Sequence, residues 1–75
     1  MDDADDCWVI YYGAVDMPPG VWRVRRLRLV DGLSLATPEC SDHATLAAAR
    51  AAVPPGRIRS PRDVRDQRQI VETWL

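Results

Sequence analysis

Three side chains in this sequence could bind a soft metal ion or act in nucleophilic catalysis: Cys7, Cys40 and His43. Cys40 and His43 have a spacing that zinc would accept, but structural zinc sites almost always use four ligands and the sequence has no CxxC pair. As a nucleophile and a base, the same two residues come without any sign of an oxyanion hole or an activated thiol. We therefore expect reduced thiols, no metal or other cofactor, and no catalytic residue.

The carboxylates and glycines also fail to form a catalytic motif. Asp63 and Asp66 stand among Arg62, Arg65 and Arg68, and local ion pairing explains them better than general acid catalysis. The 4 glycines form no phosphate-binding loop. The sequence therefore favours a binding protein over an enzyme.

Charge is the more informative property of this chain. All 10 positive charges are arginines, and the net charge of the 75 residues is −1. Arginine suits bidentate pairing with carboxylate or phosphate, although a run of charges most often only solvates a sheet face. A net negative charge argues against general affinity for nucleic acid. Our candidates for a partner-binding surface are Arg23, Arg25, Arg26, Arg28, Asp2, Asp3, Asp5, Asp6, Asp16 and Glu39.

A hairpin at residues 21–35 must position most of these arginines, and the rest of the chain is organised around it. Asp31 and Gly32 lie between two apolar runs, which is the signature of a type I′ turn. The strand before the turn, WRVRRLRL, changes the parity of its apolar residues halfway along. We predict a β-bulge at Arg25 or Arg26 that turns every apolar residue of this strand towards the core.

The remaining elements follow from composition and from turn residues. The apolar run CWVIYY indicates a central strand that is buried on both faces, and the loop GAVDMPPG joins it to the hairpin. Residues 57–60, with Ile58 facing inward, and residues 70–75 should be the last two strands. Within the final strand, Ile70, Glu72 and Trp74 should share one face.

One helix is predicted at residues 43–52, capped by Ser41 or Asp42 and ended by a Pro-Pro-Gly run. Its inward positions by helical spacing are Leu46, Ala49, Arg50 and Val53. The order β-β-β-α-β-β implies an α+β fold, an antiparallel sheet of about five strands with the helix packed on one face.

The chain should be a single domain at residues 7–75, preceded by a flexible acidic tail at residues 1–6. The acidic beginning does not resemble a signal peptide, and no apolar run reaches transmembrane length. We expect a soluble cytoplasmic protein that has no contact with a membrane.

Three segments, WVIYYG, VDMPPGVWRVRR and IVETWL, resemble short proteins encoded by phages and mobile elements of high-GC bacteria. The resemblance covers about half of the chain. Some compact phage proteins of this type are anti-CRISPR proteins, which inhibit host defence by binding one subunit of a CRISPR-Cas effector. The resemblance thus implies a non-enzymatic inhibitor acting in the host cytoplasm, but it carries over no individual binding residues.

Two surfaces could serve such an inhibitor. The acidic tail with Asp16 and Glu39 could imitate phosphates, or the ridge from Arg23 to Arg28 could bind an acidic patch on a protein. The alternatives are a small nucleic-acid-binding accessory protein that uses the arginine-rich strand, and a phage protein–protein interaction module with another target. A homodimer through an edge strand or an exposed tryptophan is a further expectation.

Overall fold

A computed structural model of the chain describes residues 5–60 and 68–75. Its 5-stranded sheet has the spatial order β3-β2-β1-β5-β4, and every strand pair is antiparallel. The elements are β1 (Asp6–Tyr12), β2 (Trp22–Val30), β3 (Leu33–His43), α1 (Leu46–Ala51), β4 (Arg59–Ser60) and β5 (Ile70–Trp74). The predicted α+β architecture with a β-β-β-α-β-β order is therefore confirmed.

The central strand is β1, and it is buried on both sides as predicted. Ile10 packs with Val24 of β2 against Ala49 and Val53 from the helical segment. Because side chains alternate along a strand, Val9 points to the opposite face of the sheet, where it is also buried. The core is thus centred on β1 and β2, beneath α1.

The Asp31-Gly32 turn has the predicted geometry, with φ angles of 51° and 78°. The predicted bulge within β2 is wrong. β2 pairs with β1 without interruption from Trp22 to Arg28, so Leu27 stays on the face opposite to Val24. The irregularity belongs to β3, where three residues (37–39) lie opposite Arg26 alone. Pro38 cannot donate a ladder hydrogen bond, and an edge strand accommodates it by bulging.

The third strand is longer and the helix shorter than predicted. β3 resumes after the bulge and continues to His43, so Ser41 and Asp42 pair with β2 and cap nothing. Thr45 is the N-cap of α1, and its hydroxyl oxygen accepts a hydrogen bond from the Ala48 amide at 3.0 Å. The register with β2 extends the strand past the point where local sequence favours a helix.

In the last two strands, the side chains that point towards the core are not all the predicted ones. Ile58 was predicted to face inward but is 73% exposed. It precedes β4 at the edge of the sheet, and its backbone forms hydrogen bonds of 2.8 and 3.0 Å with Leu75. A register shift in the β1–β5 ladder places Ile70 opposite Tyr11 and lets Val71 pack against the core. Glu72 and Trp74 share the helix-side face, but Ile70 does not belong with them.

β1 begins at Asp6, so this residue belongs to the sheet and not to a flexible tail. The Asp5 carbonyl oxygen also accepts a hydrogen bond from the Leu29 amide at 2.9 Å. Asp2, Asp3 and residues 61–67, including Asp63 and Asp66, lie outside the described residues. Within residues 5–60 and 68–75, no helix has the length and apolar character needed to cross a membrane.

Candidate functional site

The sheet divides the predicted binding residues between its two faces. Successive residues of β2 alternate, so Arg23 and Arg25 lie on the face opposite α1, whereas Arg26 and Arg28 lie on the helix side. We call the surface formed by Tyr11, Arg23, Arg25 and Asp42 the arginine face. The predicted single ridge from Arg23 to Arg28 is therefore two separate surfaces.

On the arginine face, Arg23 forms a bidentate ion pair with Asp42, its cross-strand neighbour on β3. Nε donates to Oδ1 at 2.7 Å and Nη2 donates to Oδ2 at 3.0 Å. The Arg23 guanidinium lowers the pKa of Asp42 below its ordinary value. The pair is exposed at the Asp42 end, so a competing carboxylate could displace Asp42 at little cost.

Arg25 is fixed by the bulge. Its Nη1 donates to the Thr37 carbonyl oxygen at 2.8 Å, while the Thr37 hydroxyl donates to the Arg26 carbonyl oxygen at 2.8 Å. The bulge thus positions Arg25, which makes no ion pair with any residue in the ranges 5–60 and 68–75. A guanidinium carries five N–H donors, so Arg25 retains donors for a carboxylate or a phosphate.

Beside these arginines the surface forms a depression of about 200 Å³. Tyr11 lines this depression, and burial raises the pKa of its phenol. The loop between β1 and β2 contributes one rim. The side chains around the depression are Tyr11, Asp16, Met17, Arg23, Arg25 and Gln69. Of the predicted candidates, Arg23, Arg25 and Asp16 therefore lie together here.

On the helix side, three further candidates belong to an internal ion-pair network. Asp6 accepts hydrogen bonds from Arg57 Nη1 at 2.6 Å and from Arg26 Nε at 2.7 Å. Arg26 Nη1 also donates to Glu39 Oε1 at 2.8 Å. Arg57, and then Arg26, lower the pKa of Asp6. Asp6, Arg26 and Glu39 therefore hold β1, β2 and the β3 bulge together.

A further ion pair, between Arg50 and Glu72, was not predicted from the sequence. Glu72 is 5% exposed, and its two carboxylate oxygens accept hydrogen bonds of 2.8 Å from Arg50 of α1. Trp74 Nε1 donates to the same carboxylate at 3.1 Å. Arg50 chiefly lowers the pKa of Glu72, against the effect of burial. Two features of the sequence could have indicated this ion pair. Arg50 falls on the apolar face of the predicted helix, and Glu72 lies within an apolar strand.

Besides Glu39 of the ion-pair network, three predicted candidates are exposed. Arg28 makes no ion pair or side-chain hydrogen bond with any residue in the described ranges. Asp5 and Asp16 are exposed as well. Arg28 lies on the helix side of β2, opposite Asp6 on one neighbour and Leu35 on the other. The exposed charges are therefore distributed over both faces.

The two thiols and the histidine do not form one site. Cys7 is buried and Cys40 is exposed. His43 pairs with Trp22 on the helix side, and its Nε2 lies 2.7 Å from the Ser41 hydroxyl. No group of three or more His, Cys, Asp or Glu residues suited to a metal ion occurs among the residues that the structure describes.

No protein-family model, curated protein or solved structure matches this chain.

Proposed function

We propose that this chain is a phage-derived inhibitor that binds one subunit of a bacterial CRISPR-Cas effector and thereby blocks its action on DNA. In this proposal the protein performs no catalysis and acts by surface recognition alone. The contact surface is the arginine face together with its depression. The observation that carries the proposal is the grouping of Arg23, Arg25, Tyr11 and Met17 around one depression.

This combination of side chains suits a protein partner. Tyrosine, arginine and methionine are enriched in protein–protein interfaces, and tyrosine and arginine are enriched among the residues that contribute most of the binding energy. The depression could receive one side chain of the partner. Arg25, which has no acidic partner among the described residues, supplies the cation for a carboxylate beside that side chain.

The opposite mode, in which acidic residues imitate phosphates, has less support. Asp6 and Glu39 are already paired with arginines of this chain. Using both carboxylates for a partner would take Asp6 from Arg57 and both Asp6 and Glu39 from Arg26, at a cost in stability. Asp16 remains exposed, but it lies beside Arg23 and Arg25 at the rim of the depression. The arginine mode therefore requires fewer internal contacts to be broken.

The experiment is a phage challenge of host strains whose CRISPR systems target that phage. Expression of the chain should restore plaque formation in at least one system. Arg25→Gln should weaken the effect clearly, whereas Arg28→Gln, the same charge change on the other face of β2, should retain it. Unfolding in urea would establish that both variants are folded. Undiminished interference in every system would overturn the proposal, and loss of activity with Arg28→Gln alone would overturn the choice of face.

The second candidate is a nucleic-acid-binding accessory protein, and Arg28 is the observation that favours it. Arg28 is exposed and has no acidic partner among the described residues, so it could contact a phosphate, and Tyr11 on the other face could stack on a base. A gel shift on single- and double-stranded DNA at low salt tests this reading. A shift that weakens with added salt and with Arg28→Gln would support it, and no shift would exclude it.

A further inference from the structure

The strand β3 lies at one edge of the sheet, where β2 is its only neighbour among the described strands. The bulge at residues 37–39 divides β3 into two arms, and Pro38 interrupts the free edge between them. In the first arm, residues 33–36, each residue is paired regularly with residues 27–30 of β2. This arm has the sequence LSLA and carries no charge. Charged side chains usually protect edge strands, and this arm lacks them.

The free polar groups of this arm belong to Ser34 and Ala36. A two-residue turn makes Val30 and Leu33 a hydrogen-bonded pair, so the backbone groups of Ser34 must point away from β2. The bond from the Leu29 amide to the Asp5 carbonyl oxygen agrees with this alternation, because Leu29 is the residue opposite Ser34. The edge therefore offers N–H and C=O groups at alternate positions to a further strand.

The side chains of the arm are apolar and uncovered. Leu33 is 64% exposed, Leu35 is 49% exposed, and both lie on the same face as Val30. The 6 residues of α1 span about 9 Å, whereas the 9 residues of β2 span about 30 Å. The helix is thus too short to cover the end of the hairpin.

We infer that a second copy of this chain covers the first arm of β3, forming a two-fold dimer in which the two arms pair antiparallel about Ser34. In this register Ser34 lies opposite Ser34 of the second copy. Leu33 of each copy lies opposite Leu35 of the other copy, so this contact occurs twice. The serines form the hydrogen-bonded pair. The leucines fall at non-hydrogen-bonded positions, where facing side chains are closest. The Asp-Gly turn and the bulge end the pairing on either side.

The self-complementary sequence favours a second copy over an unrelated strand. A one-residue shift in the register would turn the leucines of one arm towards the opposite face and leave them unpaired. The two-fold axis runs perpendicular to the sheet, so both arginine faces lie on the same side of one continuous sheet. The dimer does not depend on the proposed function, but it would give the inhibitor two identical contact surfaces.

The first test is sedimentation equilibrium over a wide range of protein concentrations. Wild type should dimerise, and Leu35→Asp should raise the dissociation constant at least about tenfold, because a charge replaces one leucine in each of two symmetric contacts. Ile58→Asp is the matched control, since Ile58 is also exposed but lies at the other edge of the sheet. A monomer at all concentrations, or equal effects of the two substitutions, would overturn the inference.

The second test is disulfide trapping in a Cys40→Ser background. Ser34→Cys should form a disulfide-linked dimer under mild oxidation, because the two-fold register places position 34 opposite itself. The side chain of Ala36→Cys projects from the same face of the strand as position 34. Its neighbour across the interface is Gly32 of the second copy, so this variant should cross-link far less. Equal cross-linking at both positions would contradict the register. Both measurements use the chain alone, so they can fail while the effector proposal stands, and the reverse also holds.

Discussion

Glu72 is the acidic side chain on which the packing of the helix against the sheet most depends. It is nearly fully buried, and Arg50 and Trp74 donate to the same carboxylate. A buried carboxylate is tolerated only when its hydrogen bonds are complete. Arg50 brings that compensation from α1, so this contact links the helix to the strand β5.

Glu72→Gln should lower the free energy of unfolding by about 1–3 kcal/mol, since the amide cannot accept from all three donors and leaves a guanidinium without its counter-charge. Urea denaturation with two-state analysis measures this loss. Asp42→Asn is the matched control, because it removes an equally well-formed but exposed bidentate pair with Arg23. The control should change stability much less. Equal losses from the two substitutions would contradict this role for burial.

Acidification should destabilise the fold because Asp6 and Glu72 both have lowered pKa values. The unfolded chain takes up protons near the ordinary values of 3.8 and 4.5, whereas the folded chain resists protonation until the pH is lower. The stabilisation is therefore complete above about pH 5.5 and is lost as the pH falls through the folded values. The urea midpoint should be constant from pH 7 to 5.5 and then fall, less steeply in Glu72→Gln. A midpoint that rises on acidification would contradict this linkage.

Among the elements, β3 shows where local sequence fails to predict structure. Pro38 and the alanine-rich run after His43 both favour ending the strand early. The strand nevertheless continues, because it is an edge strand whose bulge is held by Thr37 and Arg25. Those contacts join positions far apart in sequence, so no local window contains them. The Asp-Gly turn, by contrast, was predictable because its geometry depends on two adjacent residues.

The apolar pattern of β2 also required knowledge of the whole sheet. Val24 and Leu27 point to opposite faces because each face of the central strands has apolar neighbours, such as Ile10 on one side and Cys7 on the other. A sheet with only one apolar face would need a bulge to accommodate the parity change in this strand. The register with β1 shows that no phase change occurs in this strand.

The N-terminus of the helix can be tested by substituting its N-cap residue. Thr45→Ala should lower the free energy of unfolding by about 1 kcal/mol, because the Thr45 hydroxyl oxygen satisfies a first-turn amide. Ser41→Ala, at the position that the sequence suggested as a cap, should cost clearly less. Thermal and urea unfolding of the two variants decide between the two starts. A larger loss from Ser41→Ala would place the cap where the sequence alone had placed it.

At the scale of the whole molecule, the core is small. Among the described residues only Ile10 and Val24 are large side chains that are fully buried, and several apolar side chains at the hairpin end are exposed. A chain of this size often gains stability from association. The inferred dimer would bury the exposed leucines of β3 and continue the sheet.

The melting temperature should therefore rise with protein concentration, since association stabilises the folded state by mass action. Differential scanning calorimetry at several concentrations measures this dependence. Leu35→Asp should show a weaker dependence over the same concentrations, because its dimer dissociates more readily, whereas Ile58→Asp should behave like the wild type. A concentration-independent melting temperature of the wild type would count against the dimer.

The proposed binding of the arginine face to a subunit of a CRISPR effector can be measured with purified components. In a competition assay, purified effector complexes bind labelled target DNA while the chain is titrated in. The chain should abolish DNA binding or cleavage by one effector. Arg25→Gln should need at least about tenfold more protein for the same effect, the equivalent of losing one charged contact, while Arg28→Gln should match the wild type. Full effector activity at saturating concentrations of the chain, in every system tested, would rule out this function.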